Sequence, residues 1–201
     1  MSENKLTFFR QSGWLAIATA TSGVFLIAVY PVITKKTADP GIFMALLRVF
    51  TVLAIPTAGL QIVMAQDAAA AITPQKKEQL AAASQAIARG ILGFWVCLAV
   101  LCAVFQHRIA STLNLAHESA LWVTLFLVLA QLFLPFGQGL LQGTQNFAWL
   151  GWSIILSGLG RFAGVCIMVL IFKTQSTGAL FGALLGLGAA TTVGLFPSRT
   201  L

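Results

Sequence analysis

Charged residues are scarce in this chain of 201 amino acids: Asp, Glu, Lys and Arg together make up 8% of it. Water-soluble domains carry about 25% charged residues. Hydrophobic residues make up 58% of the chain, and its mean hydropathy is +0.91. The composition therefore excludes a water-soluble globular domain and a disordered tail, and it predicts an integral membrane protein.

Acidic residues are the scarcest charged class, with five Asp and Glu against twelve Lys and Arg, and the net charge is +7. In a soluble protein this excess would indicate nucleic-acid binding. Here most of the basic residues flank long apolar runs, which is the pattern of the positive-inside rule for membrane proteins. We therefore expect the lipid bilayer, and no nucleic acid, as a partner of this chain.

Groups suited to covalent or metal chemistry are also few. The three cysteines lie in apolar stretches and are odd in number, so no disulfide framework is expected. The two histidines, His107 and His117, fall between the third and fourth apolar segments, with Glu118 beside the second. Their spacing matches no metal-binding motif, so solvated interfacial side chains are favoured over a metal site. No glycine-rich phosphate loop occurs, and we expect no enzymatic activity, no cofactor and no metal.

Six apolar segments account for most of the length of the chain. A helix that crosses the bilayer needs roughly 20 apolar residues, and these runs are continuous rather than alternating, which is typical of helices. The sequence therefore predicts an all-α, polytopic membrane protein that forms one domain over residues 1–201. The six transmembrane helices of this bundle are expected near residues 13–33, 41–65, 90–106, 120–141, 147–172 and 177–196.

The longest polar connection covers residues 66–89, between the second and third segments. Thr73 and Pro74 precede a charged turn, which is typical of a helix N-terminus. Two interpretations stay open: an amphipathic helix on the membrane surface, and a helical extension of the third segment. A cytoplasmic N-terminus places six Lys and Arg of the flanking segments in the cytoplasm and four on the opposite side, so this orientation is predicted and the connection is cytoplasmic.

Two arginines fall inside apolar segments, where an ionised side chain is costly and commonly functional. Arg161 lies near the middle of the fifth segment, and Arg48 lies about two turns into the second. No Asp or Glu lies deep in any segment, so neither arginine has an evident carboxylate partner. A guanidinium binds phosphate oxygens in a bidentate manner and stays charged. Both are therefore candidate ligands of an anionic substrate, with structural bonding to backbone carbonyls as the alternative.

Polar side chains follow one face of two further segments. In the fourth segment, Thr124, Gln131 and Gln138 recur every seven residues and share a helix face. In the first segment, Tyr30 lies on the same face as Thr19. Such faces either line a water-filled path that binds sugar hydroxyls or supply hydrogen bonds between helices. Polar faces on several helices favour a central cavity, in which these residues are candidate substrate ligands.

Small residues predict how the helices pack. Glycines recur every four residues in three segments, as Gly139 and Gly143, Gly160 and Gly164, and Gly178, Gly182 and Gly186. This spacing lets helix backbones approach closely in lipid. Close packing is the favoured interpretation, and a seam that moves during a transport cycle is the alternative.

Three short stretches carry a resemblance to a known family. Residues 39–43 (Asp-Pro-Gly-Ile-Phe) are similar to its turn into helix two, commonly Tyr-Gly-x-Phe, with Pro40 in place of the aromatic residue. Residues 55–61 (Ile-Pro-Thr-Ala-Gly-Leu-Gln) are similar to the end of that helix. Residues 140–147 (Leu-Leu-Gln-Gly-Thr-Gln-Asn-Phe), followed by Arg161, are similar to its Leu-Gln-Gly-x-Gln-x-Phe junction between helices four and five. The chain thus resembles the oligosaccharide (polysaccharide) flippases of the multidrug/oligosaccharidyl-lipid/polysaccharide exporter superfamily.

The resemblance implies two six-helix lobes around a central cavity, which moves lipid-diphosphate-linked oligosaccharides across the inner membrane by alternating access. Basic cavity residues hold the diphosphate in such proteins, and Arg48 and Arg161 match them by role. We expect this chain to be the N-terminal lobe of a longer protein, with a homodimer as the alternative. A multidrug exporter of the same superfamily and a non-transporting six-helix scaffold subunit are the alternatives for function.

Overall fold

The computed structural model describes residues 2–36, 40–112, 119–174 and 176–195. It describes the side chains in these ranges except at residues 2–9, 36, 40–51, 53, 54 and 176. All regular structure in the described ranges is helical, and no strand occurs in them. The all-α fold class predicted from the sequence is therefore confirmed.

Six long helices make up the described chain. They are α1 (Ser2–Lys36), α2 (Pro40–Ala70), α3 (Pro74–Thr112), α4 (Ser119–Gly143), α5 (Phe147–Cys166, continued by a π-helical segment, Ile167–Ile171) and α6 (Ser176–Leu195). Within the described residues, five stretches are long and apolar enough to cross a membrane: Arg10–Lys35, Pro74–Thr112, Ser119–Gly143, Phe147–Ile171 and Thr177–Leu195. A 25-residue helix is about 37 Å long, which exceeds the roughly 30 Å of bilayer hydrocarbon. The chain thus has the helices of a multi-pass membrane protein.

The polar connection predicted over residues 66–89 is almost entirely helical. α2 continues to Ala70, and α3 begins at Pro74, so a turn of three residues joins the two helices. The N–H of Lys76 donates to Oγ1 of Thr73 across 3.4 Å, as at a helix N-cap. The predicted helix start at these residues is confirmed. Of the two interpretations of the connection, the structure agrees with the helical extension, because α3 runs without a break into the third apolar segment.

The helices pack in the order α1–α5–α6–α4–α2, and α3 lies against α4. The described parts of α1 and α2, at the two ends of this row, share no extensive contact. Buried side chains form two clusters: one includes Ile33 and Val165 and joins α1, α4, α5 and α6, and the other includes Met64, Ile91 and Phe136 and joins α2, α3 and α4. α4 is therefore the helix that contributes to both halves of the molecule.

Glycines form the closest helix contacts. Gly164 of α5 lies against Gly182 of α6, and Gly160 lies against Gly186, so that a Cβ atom at any of them would overlap the backbone of the opposite helix. Gly139 of α4 packs against α2 in the same way. The close packing predicted from the four-residue spacing is therefore confirmed for these glycines, whereas a Cβ atom at Gly178 would meet only the side chain of Thr174, just before α6. Van der Waals contact between backbones contributes to helix association in lipid, where the hydrophobic effect does not draw helices together because the lipid tails are as apolar as the side chains.

Large apolar side chains cover the outward faces of the helices. Ile17, Val24 and Ile27 of α1, with Val100 and Val104 of α3, are all more than half exposed. Such a surface would be unfavourable in water, and it is the surface that lipid tails solvate in a bilayer. Few polar side chains lie inside the bundle, and their positions define the candidate site.

Candidate functional site

Arg161 lies near the middle of α5. Phe147 lies 14 residues before it and Ile171 ten residues after it, or about 21 Å and 15 Å along the helix. Its Nη2 donates a hydrogen bond to Oε1 of Gln131 in α4, at 2.8 Å. Its Nε is buried and has no hydrogen-bond partner among the described residues. The guanidinium is therefore anchored at one nitrogen and keeps unused donors.

The positive charge of Arg161 is not paired with a carboxylate in the described part of the chain. Its one polar partner there, Gln131, offers a neutral amide oxygen. The acidic residues whose side chains are described, Asp67 and Glu78, lie near the end of α2 and the start of α3. A charge inside a membrane bundle is costly unless it is paired or solvated. An oxyanion that accepts two hydrogen bonds would satisfy both the charge and the unused donors of this guanidinium.

A second polar contact joins α4 to α5 about two turns away. Nε2 of Gln138 lies 3.4 Å from Oγ of Ser153, which in turn lies 3.3 Å from the carbonyl oxygen of Ala190 in α6. The two helices run antiparallel, so residues seven apart in α4 meet residues eight apart in α5. The side chains of Gln131 and Gln138 thus both reach α5 from the same face of α4. The shared face predicted from their seven-residue spacing is confirmed.

α1 and α6 add two polar side chains that sequence analysis did not single out. Oγ of Ser22 lies 3.4 Å from Oγ of Ser157, beside Gly158, where a Cβ atom would lie 2.6 Å from the Cα of Ser22. Thr191 of α6 is buried, and its hydroxyl lies 2.9 Å from the carbonyl oxygen of Leu187 in its own helix and 3.4 Å from that of Ala130 in α4. A small hydroxyl residue in an apolar helix carries no local signal of its partner. Its partner depends on how the helices are rotated against each other.

Three of the predicted substrate ligands, Arg161, Gln131 and Gln138, lie at the α4–α5 interface. Thr124 shares their helix face, but its hydroxyl donates to the carbonyl oxygen of Ala120 in its own helix, at 2.7 Å. A hydroxyl can form this bond at almost any position of a helix. Thr124 is therefore on the predicted face without contact to the arginine.

The other two predicted ligands lie apart from this interface or outside the description. Tyr30 of α1 is 41% exposed, and its phenol makes no hydrogen bond to the Arg161–Gln131 pair. Arg48 lies in α2, among the residues whose side chains are outside the description. The described site thus consists of one arginine, two glutamines and the serines beside them.

The described residues hold neither a candidate metal site nor a disulfide. They contain no group of three His, Cys, Asp or Glu side chains able to hold a metal ion. His117 and Glu118, considered above as metal ligands, lie outside the described residues. Cys97, Cys102 and Cys166 are free.

Comparison with known proteins does not assign a family or a function to this chain. No family model matches the chain, and neither a curated protein nor a solved structure matches it. The resemblance to the oligosaccharide flippases therefore stays a prediction. What the site can do follows from its chemistry: it offers a permanent cation and amide groups at mid-depth in a bundle of membrane helices.

Proposed function

We propose that this chain is one six-helix lobe of a membrane transporter that moves an anionic lipid, a lipid-diphosphate-linked oligosaccharide, across the inner membrane. The observation that carries the proposal is Arg161. It lies at mid-span, with a neutral hydrogen-bond partner, a buried Nε without a partner, and no carboxylate beside it in the described chain. The resemblance of three short stretches to the oligosaccharide flippases supports the same class of substrate.

The chemistry of the site favours an anion over a cation. A multidrug exporter of cationic compounds needs a carboxylate in its cavity, and the described helices place none near Arg161. A diphosphate offers several oxygens that match the planar donors of a guanidinium. Amide groups such as that of Gln138 are suited to the hydroxyl groups of a sugar. The site therefore supports a substrate that carries both phosphate and sugar.

In this mechanism the diphosphate displaces Gln131 from the guanidinium of Arg161 and binds there, while the lipid tail stays in the bilayer. α1 and α2 end the row of helices without extensive contact between them, which suits a cavity that faces a second lobe. Rocking of the two lobes then exposes the bound head group to either side of the membrane. The N-terminus is cytoplasmic in this proposal, in keeping with the distribution of Lys and Arg.

Transport in proteoliposomes tests the proposal. The chain is assembled with its second lobe, either a second copy or a further domain, and reconstituted with a fluorescent polyprenyl-diphosphate-linked disaccharide. Movement of the disaccharide is followed by quenching of the outer leaflet. We expect transport above that of protein-free vesicles, and a rate at least about tenfold lower for Arg161→Gln, because a hydrogen bond to a charged group is lost. Arg161→Lys keeps the charge without the planar guanidinium group, so its transport rate is expected to lie between those of the unmodified chain and Arg161→Gln.

Arg89→Gln is the matched control, since it removes the same charge from an exposed position of α3. Its transport rate is expected to equal that of the unmodified chain. Absence of transport by the unmodified chain would favour a scaffold subunit and overturn the proposal. Equal rates for Arg161→Gln and Arg89→Gln would remove the role assigned to Arg161.

A further inference from the structure

A cavity of about 460 Å³ lies between the ends of α2 and α4 and the first half of α3. Ala71, Lys77 and Thr144 line it near the helix ends, and Ala88 and Phe136 line it further along the helices. Its volume falls within the roughly 300–1,000 Å³ of pockets that hold small molecules. Neither Arg161 nor Gln131 lines this cavity, so it is separate from the candidate site described above.

The cavity extends from the fourth apolar segment into the polar connection of residues 66–89. Lys77 and Ala88 lie on the same face of α3, eleven residues apart, which corresponds to about 16 Å along the helix. Phe136 and Leu140 belong to the fourth apolar segment, whereas Lys77 and Ala88 precede the third apolar segment, which begins at residue 90. The end of the cavity at Phe136 therefore lies toward the predicted hydrocarbon, and the end at Lys77 lies outside it, near the junctions between helices. A lipid whose phosphate lies at Lys77 can direct an acyl chain along the cavity toward the hydrocarbon.

The charge of the lining complements an anion at the outer end. Lys77 is the charged residue of the lining, which contains no carboxylate and is otherwise mostly apolar. The adjacent residue, Lys76, lines a different cavity of about 260 Å³, which it shares with Asp67. The positive charge of Lys76 thus has a carboxylate in the same cavity, and that of Lys77 does not.

We propose that this cavity binds an anionic phospholipid, with one acyl chain along Leu80, Ala88 and Phe136 and the phosphate at the ammonium group of Lys77. The ammonium group forms hydrogen bonds and an ion pair with phosphate oxygens, and the net negative charge of the lipid distinguishes it from a zwitterionic one. This lipid is a bound component between α2, α3 and α4 and not the transported substrate. The proposal does not rest on the function proposed for Arg161.

Native mass spectrometry of the purified full chain tests this site. The chain is stripped of lipid in detergent and titrated separately with phosphatidylglycerol and phosphatidylcholine of the same acyl composition. We expect tighter binding of phosphatidylglycerol, and a loss of about fivefold in its affinity for Lys77→Gln, the effect of one basic residue near an anionic membrane surface. Lys76→Gln is the matched control and is expected to keep the preference of the unmodified chain.

A steric variant tests the acyl-chain part of the site. Ala88→Leu fills the deep end of the cavity and is expected to weaken binding of both lipids, whereas Ala86→Leu adds the same side chain on an exposed face of α3 and is expected to weaken neither. Arg161→Gln is expected to bind phosphatidylglycerol as the unmodified chain does, so failure of the transport proposal leaves this result unchanged. Equal phosphatidylglycerol affinity for Lys77→Gln and Lys76→Gln, or equal binding by Ala88→Leu and Ala86→Leu, would overturn the proposal.

Discussion

At the scale of single residues, the hydrogen bond between Arg161 and Gln131 is the contact that orients the guanidinium. The contact is 2.8 Å long, is partly buried and lies at mid-span of α5. Hydrogen bonds to charged groups contribute more than neutral ones, although hydrogen bonds between membrane helices average only about 0.6 kcal/mol. The two tendencies predict different strengths for this contact, and a measurement distinguishes them.

A double-mutant cycle of Gln131→Leu and Arg161→Met measures it. We expect the two substitutions to be coupled by about 1–2 kcal/mol in the free energy of unfolding in mixed micelles, because loss of Gln131 leaves an unpaired charge only while Arg161 is present. The control cycle pairs Gln61→Leu with Gln142→Leu, whose amide groups are 3.2 Å apart at an exposed position. Equal coupling in the two cycles would contradict a special contribution from the charge.

At the scale of helices, the glycine contact between α5 and α6 decides how closely the bundle packs. Gly182 faces the carbonyl group of Gly164, and Gly186 faces that of Gly160, in an antiparallel arrangement. In contrast, a Cβ atom at Gly188 of the same helix would have no neighbour within 4 Å. Glycine is therefore required by contact at some positions of α6 and not at others.

Gly182→Ala is expected to lower the free energy of unfolding by about 1–3 kcal/mol, because its methyl group would overlap the backbone of α5 and force the helices apart. Gly188→Ala is the matched control in the same helix. It is expected to be neutral or to stabilise by up to about 1 kcal/mol, since alanine has the higher helix propensity. Thermal unfolding in detergent measures both variants. A Gly182→Ala protein as stable as Gly188→Ala would contradict the close contact.

At the scale of the whole molecule, the order of helices determines which loops share a side of the membrane. α3 and α4 separate the turn at Ile72 from the turn at Gln145, and α5 alone separates Gln145 from Lys173. If each helix crosses the bilayer once, Ile72 and Gln145 lie on one side and Lys173 lies on the other. The side that holds Ile72 is the cytoplasmic one in the proposed orientation.

Labelling of introduced cysteines tests this arrangement. Ile72→Cys, Gln145→Cys and Lys173→Cys are made singly in a chain without its native cysteines, at three exposed positions. We expect a charged, membrane-impermeant maleimide to label Lys173→Cys in intact cells and the other two in inside-out vesicles. Labelling of Gln145→Cys and Lys173→Cys from the same side would show that α5 does not cross the membrane.

The candidate site was predicted in part, and the reason differs between residues. Arg161 and Gln138 were identified because a charge or an amide in an apolar run is unusual whatever the tertiary structure. Helical spacing places Tyr30 on a polar face, yet the residue is 41% exposed, because spacing shows which residues share a face and not which face packs inward. Ser22 was missed because its contact with Ser157 depends on how α1 packs against α5.

The sequence by itself determined that this chain consists of membrane helices, because long apolar runs with 8% charged residues can satisfy their backbone hydrogen bonds in lipid only as helices or closed barrels. The continuous character of those runs then favours helices. Only the tertiary structure decided that Arg161 meets Gln131, and that a cavity opens beside Lys77. Both depend on how helices that are distant in the chain are rotated and shifted against each other. Glycine contacts and side-chain volumes together determine this arrangement, and the spacing of residues within one helix does not reveal it.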